Sequence, residues 1–192
     1  MRREDFGDSR RASFASEALP HLDQIHTAAV YLCGDPDRAS DLVQETYLRA
    51  FRFFHQFELG TKCRAWLLTI LHNTFRNQYR AQRYARSHVD IDDPATALEA
   101  AEAAGGDDNP ETLVLSEMLD QEIVQALGEL PEEFRSAIVL IDLQDLTYEE
   151  GARALGCPVG TVRSRLSRGR NLLEQKLATY ARERGYRRNG KA

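Results

Sequence analysis

The sequence lacks several features that would assign it to a familiar class. No run approaches eighteen apolar residues, so we expect no membrane-spanning helix. The first residues have no apolar core of the signal-peptide kind, which predicts a cytoplasmic protein. There is no glycine-rich phosphate loop, and the five histidines show no His-Glu-x-x-His spacing. We therefore expect no enzymatic activity, no cofactor and no metal site.

Cysteine is scarce, and its three positions, Cys33, Cys63 and Cys157, are far apart. The odd number and the lack of a Cys-x-x-Cys pair argue against a disulfide framework. The sequence favours reduced, mostly buried thiols. A structural zinc site and a redox-sensing role are the less favoured alternatives.

Positive charge is missing from the middle of the chain. Residues 87–158 contain eighteen acidic and two basic residues, whereas residues 159–192 contain two acidic and ten basic residues. Residues 49–86 are also basic, with eight basic residues and one acidic residue. The net charge of −5 therefore hides two basic zones, which are candidate nucleic-acid surfaces.

The periodicity of the apolar residues predicts an all-α protein, because no strand pattern stands out. We expect a disordered N-terminus (1–13), a first helical domain (14–86), an acidic flexible linker (87–112), a second helical domain (113–180) and a basic tail (181–192). The first domain should contain helices over about 18–33, 36–56 and 62–86. If fully flexible, the linker would let the two domains occupy separated sites.

Residues 147–170 predict a helix-turn-helix. Thr147 and Glu150 have the spacing of a capping box, and Gly156 suits the left-handed end of a helix. Pro158 suits the first turn of a second helix. An apolar stripe then follows at steps of three and four residues: Val159, Val162, Leu166, Gly169 and Leu173.

The second of these helices should turn a polar face outward. Opposite the stripe lie Ser164, Ser167, Arg168 and Asn171, and Arg163 and Arg165 flank it. Arginine can bridge guanine O6 and N7, and serine can bond to several bases, so this face suits the DNA major groove. The flanking arginines are better placed for phosphates. The alternative is a solvated basic face on an ordinary surface helix.

A second basic face is predicted on the helix 62–86. It carries His72, Asn73, Arg76, Arg80 and Arg83 opposite the core stripe, with aromatic residues nearby. Cations interleaved with rings suit single-stranded nucleic acid, although most of these rings, including Trp66, fit the core better.

The helix 36–56 turns an exposed Leu48 outward among charged residues, which is either an isolated apolar side chain or the centre of a protein-binding patch.

These motifs together resemble a bacterial sigma factor of the extracytoplasmic-function type. Residues 41–52 (DLVQETYLRAFR) resemble the segment of this family that binds core polymerase. Residues 57–67 (FELGTKCRAWL) resemble its promoter-melting loop, and residues 157–165 (CPVGTVRSR) resemble the turn and recognition helix that bind the −35 element. The resemblance covers about residues 14–86 and 113–180. Leu59 and Ser167 depart from residues that are common in relatives, which bears on promoter preference.

The resemblance implies a role for each surface. The residues expected to bind core RNA polymerase, through its β′ and β subunits, are Asp41, Gln44, Glu45, Leu48, Arg49 and Arg52. The residues expected to bind the −10 element are Phe57, Lys62, Asn73, Arg76, Asn77 and Arg80. The residues expected to bind the −35 element are Thr161, Arg163, Ser164, Arg165, Ser167 and Arg168. Family members are commonly held by an anti-sigma factor, which is the third expected partner after core polymerase and promoter DNA.

Two other function classes remain as alternatives. An autonomous helix-turn-helix regulator would bind duplex DNA tightly without polymerase, at two-fold symmetric sites. A nucleic-acid-processing enzyme would need a catalytic constellation, and the sequence offers none.

Overall fold

The computed structural model describes residues 3–88 and 121–183, and all regular secondary structure in these two ranges is helical. The all-α prediction is therefore confirmed. The N-terminal bundle contains α1 (Arg3–Ala18), α2 (Leu22–Cys33), α3 (Pro36–Phe53) and α4 (Cys63–His88). The C-terminal bundle contains α5 (121–128), α6 (Glu132–Ile138), a π-helical turn (Val139–Leu143), α7 (Tyr148–Leu155) and α8 (Val159–Glu183). Most of the predicted linker (87–112) and tail (181–192) lies outside the described residues.

Helix α1 corrects the prediction of disorder over residues 1–13 for residues 3–13, which are helical. The ring of Phe14 is buried and lies edge-on to Phe51 and Phe54, with centroid distances of 5.2 and 5.3 Å. Arg10 donates from its Nη2 atom to the carbonyl oxygens of Phe51 and Arg52, at 2.8 and 3.0 Å. These carbonyls lie at the end of α3, where a helix leaves carbonyl groups without internal partners. The Phe14 ring and the Arg10 guanidinium therefore anchor α1 on the bundle, although α1 has few apolar residues.

The boundary between α2 and α3 follows local sequence signals. Gly34 has a φ of 71° and ends α2, which suits a residue without a Cβ atom. Asp35 caps α3, because its side chain accepts a hydrogen bond from the backbone N–H of Arg38 at 2.9 Å. Helix α2 begins later than predicted, since residues Leu19–His21 form a 3₁₀ turn around Pro20.

The two bundles pack directly against each other. Helix α4 lies on α7, and α2 contacts the π-helical turn. The buried apolar side chains of both bundles form one contiguous cluster, which runs from Phe14 to Leu166 in the sequence. The two predicted domains are thus in contact in this arrangement, and most of the linker that was predicted to let them occupy separated sites lies outside the described residues. Within the described ranges, no helix combines the length and apolarity that a membrane crossing requires.

Candidate nucleic-acid interface

The helix-turn-helix has the local geometry that the sequence predicts. The Thr147 side chain accepts a hydrogen bond from the backbone N–H of Glu150 at 3.2 Å, and the Glu150 carboxylate accepts one from the backbone N–H of Thr147 at 2.9 Å. These two bonds complete the capping box of α7. Gly156 has a φ of 64° and ends α7 in the left-handed region. The turn that follows sets the start of α8 at Val159.

Helix α8 packs through the predicted stripe. Val162 and Leu166 are almost completely buried. Gly169 lets α8 approach α6 closely, because a Cβ atom there would lie 3.0 Å from Ile138 Cδ1 and 3.2 Å from Phe134 Cβ. This packing fixes the rotation of the helix about its axis, and four of the predicted −35 residues are left exposed: Arg163, Ser164, Ser167 and Arg168.

The other two predicted −35 residues are less accessible. Thr161 is partly buried, and its carbonyl accepts a hydrogen bond from the Ser164 hydroxyl at 2.9 Å. Arg165 is partly buried and lies 3.1 Å from the Glu133 carboxylate. Its Nη1 atom also lies 3.6 Å from Cys157 Sγ. The exposed face of α8 is therefore narrower than the six residues chosen from the sequence.

The predicted −10 residues of α4 lie beside the C-terminal bundle. Asn77 and Arg80 are exposed, whereas Asn73 and Arg76 are partly buried. His72, which was predicted to lie in this outward row, is only 2% exposed. Its Nδ1 atom donates to the carbonyl oxygen of Ala154 in α7 at 3.0 Å. His72 therefore belongs to the packing between the bundles, which corrects the sequence prediction.

The loop before α4 projects from the N-terminal bundle. Phe57 begins it but is buried, with its ring centroid 5.0 Å from that of Trp66. Residues 58–62 are exposed, and Leu59 is 64% exposed at the tip. Gly60 has a φ of 84°, which permits the tight turn. The exposed part of this loop, and not the Phe57 ring, is the part that a nucleic acid can reach in this arrangement.

The outward face of α3 carries the residues predicted to bind polymerase. Asp41, Gln44 and Arg52 are exposed, and Leu48 is 65% exposed. The carboxylate of Glu45 pairs with Arg49 one helical turn later, at 2.5 Å. The face therefore presents one exposed leucine with charged and polar residues around it.

Some residues that matter at this interface carried no sequence signal. Arg64 and Arg135 bond to backbone carbonyls of the opposite bundle, and Glu150 pairs with Lys62 across the boundary. Glu150 therefore has two functions, as the partner of Lys62 and as a capping residue of α7. Only its capping function is visible from the sequence. A cavity of about 520 Å³ also lies at the boundary, and its lining includes Arg76 and Arg165.

The described residues offer no arrangement that could hold a metal ion. Among residues 3–88 and 121–183, no group of three or more His, Cys, Asp or Glu side chains converges. Cys33, Cys63 and Cys157 are free thiols. Burial raises the pKa of both Cys33 and Cys63 to about 11.

Two family models match the two bundles. Residues 19–93 match the model described as "Sigma-70 region 2", and residues 120–173 match "Sigma-70, region 4". EcfG of Rhodopseudomonas palustris, an ECF RNA polymerase sigma factor, is 35% identical over 165 residues, which cover 86% of this chain and 85% of EcfG. The chain belongs to the ECF sigma factors of the sigma-70 family. It therefore serves bacterial RNA polymerase in transcription initiation.

Other sigma factors show similar agreement. The sigma-E factor of Escherichia coli K12 is 39% identical over 142 residues, which cover 71% of this chain and 72% of that protein. SigE of Mycolicibacterium smegmatis is 36% identical over 163 residues, which are 85% of this chain but 61% of SigE. SigE is thus similar to this chain over less than two thirds of its own length.

The fold also agrees with solved sigma factors. The sigma factor RpoE of Bartonella quintana, solved with the anti-sigma factor NepR, has a TM-score of 0.66 at 33% identity, covering 86% of this chain and 97% of RpoE. CnrH, solved with the cytosolic domain of CnrY, has a TM-score of 0.60 at 25% identity, covering 88% of this chain and 90% of CnrH. Both superpositions extend over both bundles.

Proposed function

We propose that this sigma factor binds core RNA polymerase through α3, opens and reads the −10 element with α4 and the loop 58–62, and reads the −35 element with α8. The observation that carries the proposal is the rotation of α8. Its apolar stripe is buried, and Arg163, Ser164, Ser167 and Arg168 share the exposed side. A helix of this kind at the end of a helix-turn-helix suits the major groove.

The −10 surface supports promoter opening by its chemistry. Extrusion of a base from the duplex costs a few kcal/mol of unstacking. Contacts along the released strand can offset that cost, and exposed cationic and amide groups such as Arg80 and Asn77 suit such contacts. Neither the extrusion of a base nor the binding of the released strand needs a nucleotide cofactor, and polymerase supplies the catalysis.

An anti-sigma factor is the third partner that we propose, after core polymerase and promoter DNA. RpoE of Bartonella quintana is solved with the anti-sigma factor NepR, and CnrH is solved with the cytosolic domain of CnrY. The similarity to both extends over at least 86% of this chain. The exposed apolar centre at Leu48 is a surface for which such a partner could compete with polymerase.

In vitro transcription with purified core polymerase tests the proposal. We expect the full chain to direct initiation from members of a promoter library, and the variant Asp41→Arg with Gln44→Ala to lose core binding. Asp37→Arg, an exposed charge reversal near the start of the same helix, is the matched control and should retain it. A chain that binds symmetric duplex sites tightly without polymerase, and directs no initiation, would be an autonomous regulator instead.

A further inference from the structure

We propose that Tyr148 is a positioning residue, whose ring holds the Arg163 guanidinium ready for a phosphate of the −35 element. The inference rests on the proposed −35 role of α8 and deepens it. It is carried by a contact across the helix-turn-helix. The guanidinium carbon of Arg163 lies over the Tyr148 ring, 5.4 Å from the ring centroid. Within about 6 Å, the face of an aromatic ring attracts an arginine.

The local structure holds the Tyr148 ring in place before any DNA binds. Tyr148 is the first residue of α7 and directly follows Thr147, whose capping box sets the start of that helix. The ring is partly buried and packs against the apolar core. Arg163, by contrast, is exposed on α8, and α8 packs on α7. A mobile side chain therefore rests on a fixed one.

Arg170 is a second charged neighbour of the Tyr148 side chain. The Asp142 carboxylate, in the π-helical turn, accepts hydrogen bonds from Arg170 Nε at 2.8 Å and from Arg170 Nη2 at 2.5 Å. Two parallel bonds of this kind fix the plane of a guanidinium. The pKa of Arg170 is raised, first by its bonds to Asp142 and more weakly by Tyr148. Asp142, Arg170 and Tyr148 thus form a connected group beside Arg163.

The ring restrains Arg163 without neutralising its charge. The neighbouring Arg165 and Arg170 are each paired with a carboxylate, which a DNA phosphate would have to displace. Over residues 3–88 and 121–183, no such ion pair involves Arg163. The five N–H donors of a guanidinium spread around its plane, so some of them can reach a phosphate while the ring contact persists. Tyr148 therefore leaves the full charge of Arg163 to the DNA.

Preorganisation of this kind increases affinity and leaves sequence preference unchanged. An arginine side chain loses rotamer freedom when it binds a phosphate, and a guanidinium already held over a ring has lost part of that freedom beforehand. An exposed contact between a cation and a ring changes an equilibrium constant by about two- to fivefold. Phosphate contacts carry no base information. The gain from Tyr148 should therefore be the same for every −35 sequence.

A double-mutant cycle on the full chain, assembled with core polymerase, tests the inference. Its four proteins are the wild type, Tyr148→Leu, Arg163→Ala and the combined variant, and the measurement is holoenzyme affinity for a duplex promoter. We expect Tyr148→Leu to weaken binding about two- to fivefold in the wild-type chain. In the Arg163→Ala background it should have no further effect, because no guanidinium is left to hold. Glu149→Gln, an exposed change at the next position of α7, is the matched control and should leave affinity unchanged.

Two further measurements separate positioning from a purely structural role. Tyr148→Phe keeps the ring and removes the hydroxyl, so its affinity should stay within about 1.5-fold of the wild type. Arg163→Ala should reduce the slope of log affinity against log salt concentration by about 0.9, the value for one lost phosphate contact. Tyr148→Leu should leave that slope unchanged, since the phosphate contact itself remains.

Equal losses from Tyr148→Leu with and without Arg163 would overturn the inference and make Tyr148 a residue of the core alone. A Tyr148→Phe variant as weak as Tyr148→Leu would also overturn it. Circular dichroism and thermal unfolding verify the fold of each variant, and Tyr148→Met replaces Tyr148→Leu in the cycle if leucine unfolds the chain. Failure of the proposed function is distinguishable, because the wild-type holoenzyme would then give no transcripts from a promoter library, and both proposals would fall.

Discussion

The carboxylate of Glu150 lies 2.8 Å from the ammonium of Lys62, although the two residues belong to different bundles. The same carboxylate accepts hydrogen bonds from the backbone N–H and the hydroxyl of Thr147, at 2.9 and 3.0 Å. The helix cap of the helix-turn-helix and the contact between the bundles therefore share one side chain. Any change at Glu150 acts on both.

Glu150 should make stability depend on pH. The hydrogen bond from Lys62, followed by that from the Thr147 backbone, lowers the pKa of Glu150 from 4.5 to about 2. A carboxyl with a depressed folded-state pKa stabilises the fold above its unfolded pKa, and this stability is lost as the pH falls from about 4.5 toward 2. We expect Glu150→Gln to lower the free energy of unfolding by about 1 kcal/mol at pH 7.

Urea unfolding at pH 7 and pH 3 measures this effect, with Glu149→Gln as the exposed control. Part of the difference between Glu150→Gln and the wild type should disappear at pH 3, because pH 3 lies within the range from about 4.5 to 2 over which the stabilising effect of the ionised carboxylate is lost. A difference of the same size at both pH values would show that shape, and not charge, is what Glu150 provides.

Helix α1 offers a test that separates the structure from the sequence prediction of disorder. Phe14 is 8% exposed among the rings of Tyr47, Phe51 and Phe54. We expect Phe14→Ala to lower the free energy of unfolding by about 3 kcal/mol, the usual cost of deleting a buried ring. Ala12→Ser, at an exposed position on the same helix, should cost less than about 0.5 kcal/mol. Equal, small effects would mean that α1 does not pack on the bundle.

Local signals made the helix-turn-helix predictable, whereas the long-range contacts between the bundles could not be predicted from the sequence. Thr147, Glu150 and Gly156 act within a few residues of one another, so their roles follow from sequence spacing. His72 lies opposite the core stripe of α4, and a helical period alone assigns it to solvent. That face instead meets α7, a contact between segments that are 82 residues apart in sequence. No periodic pattern reports such a contact.

The side chains that tie the bundles together show the same limit. Arg135 bonds to the carbonyl oxygens of Leu32 and Gly128, and backbone acceptors leave no trace in the sequence. For α3, by contrast, the charged rim and the exposed Leu48 were both predictable, because they follow from the period of a single helix. The outward faces of single helices could therefore be predicted from the sequence. Which of those faces packs against the other bundle could not.

The thiols should react slowly, which bears on the redox alternative. Burial raises the pKa of Cys33 and of Cys63 to about 11, so the thiolate fraction of each at pH 8 is on the order of 0.1%. We expect iodoacetamide at pH 8 to modify both residues about a hundredfold more slowly than in the urea-unfolded chain, as measured by mass spectrometry. Rapid native labelling of either residue would reopen a sensing role. Unchanged activity of a Cys33→Ser, Cys63→Ser and Cys157→Ser variant under oxidation would close it.

Arg168 is the strongest candidate for reading sequence at the −35 element. It is exposed on α8 with no acidic partner within the described residues, whereas the nearby Arg165 and Arg170 pair with Glu133 and Asp142. A guanidinium free to bridge a guanine contributes roughly 1–3 kcal/mol of discrimination. We therefore expect Arg168→Ala to lose that much at the preferred site and to relax preference at one position, measured by binding of the polymerase holoenzyme to a randomised −35 library. Arg182→Ala, at the far end of the same helix, should lower affinity uniformly or not at all. If Arg168→Ala weakened binding to every sequence equally, Arg168 would be a phosphate contact, and base reading would fall to Ser164 or Ser167.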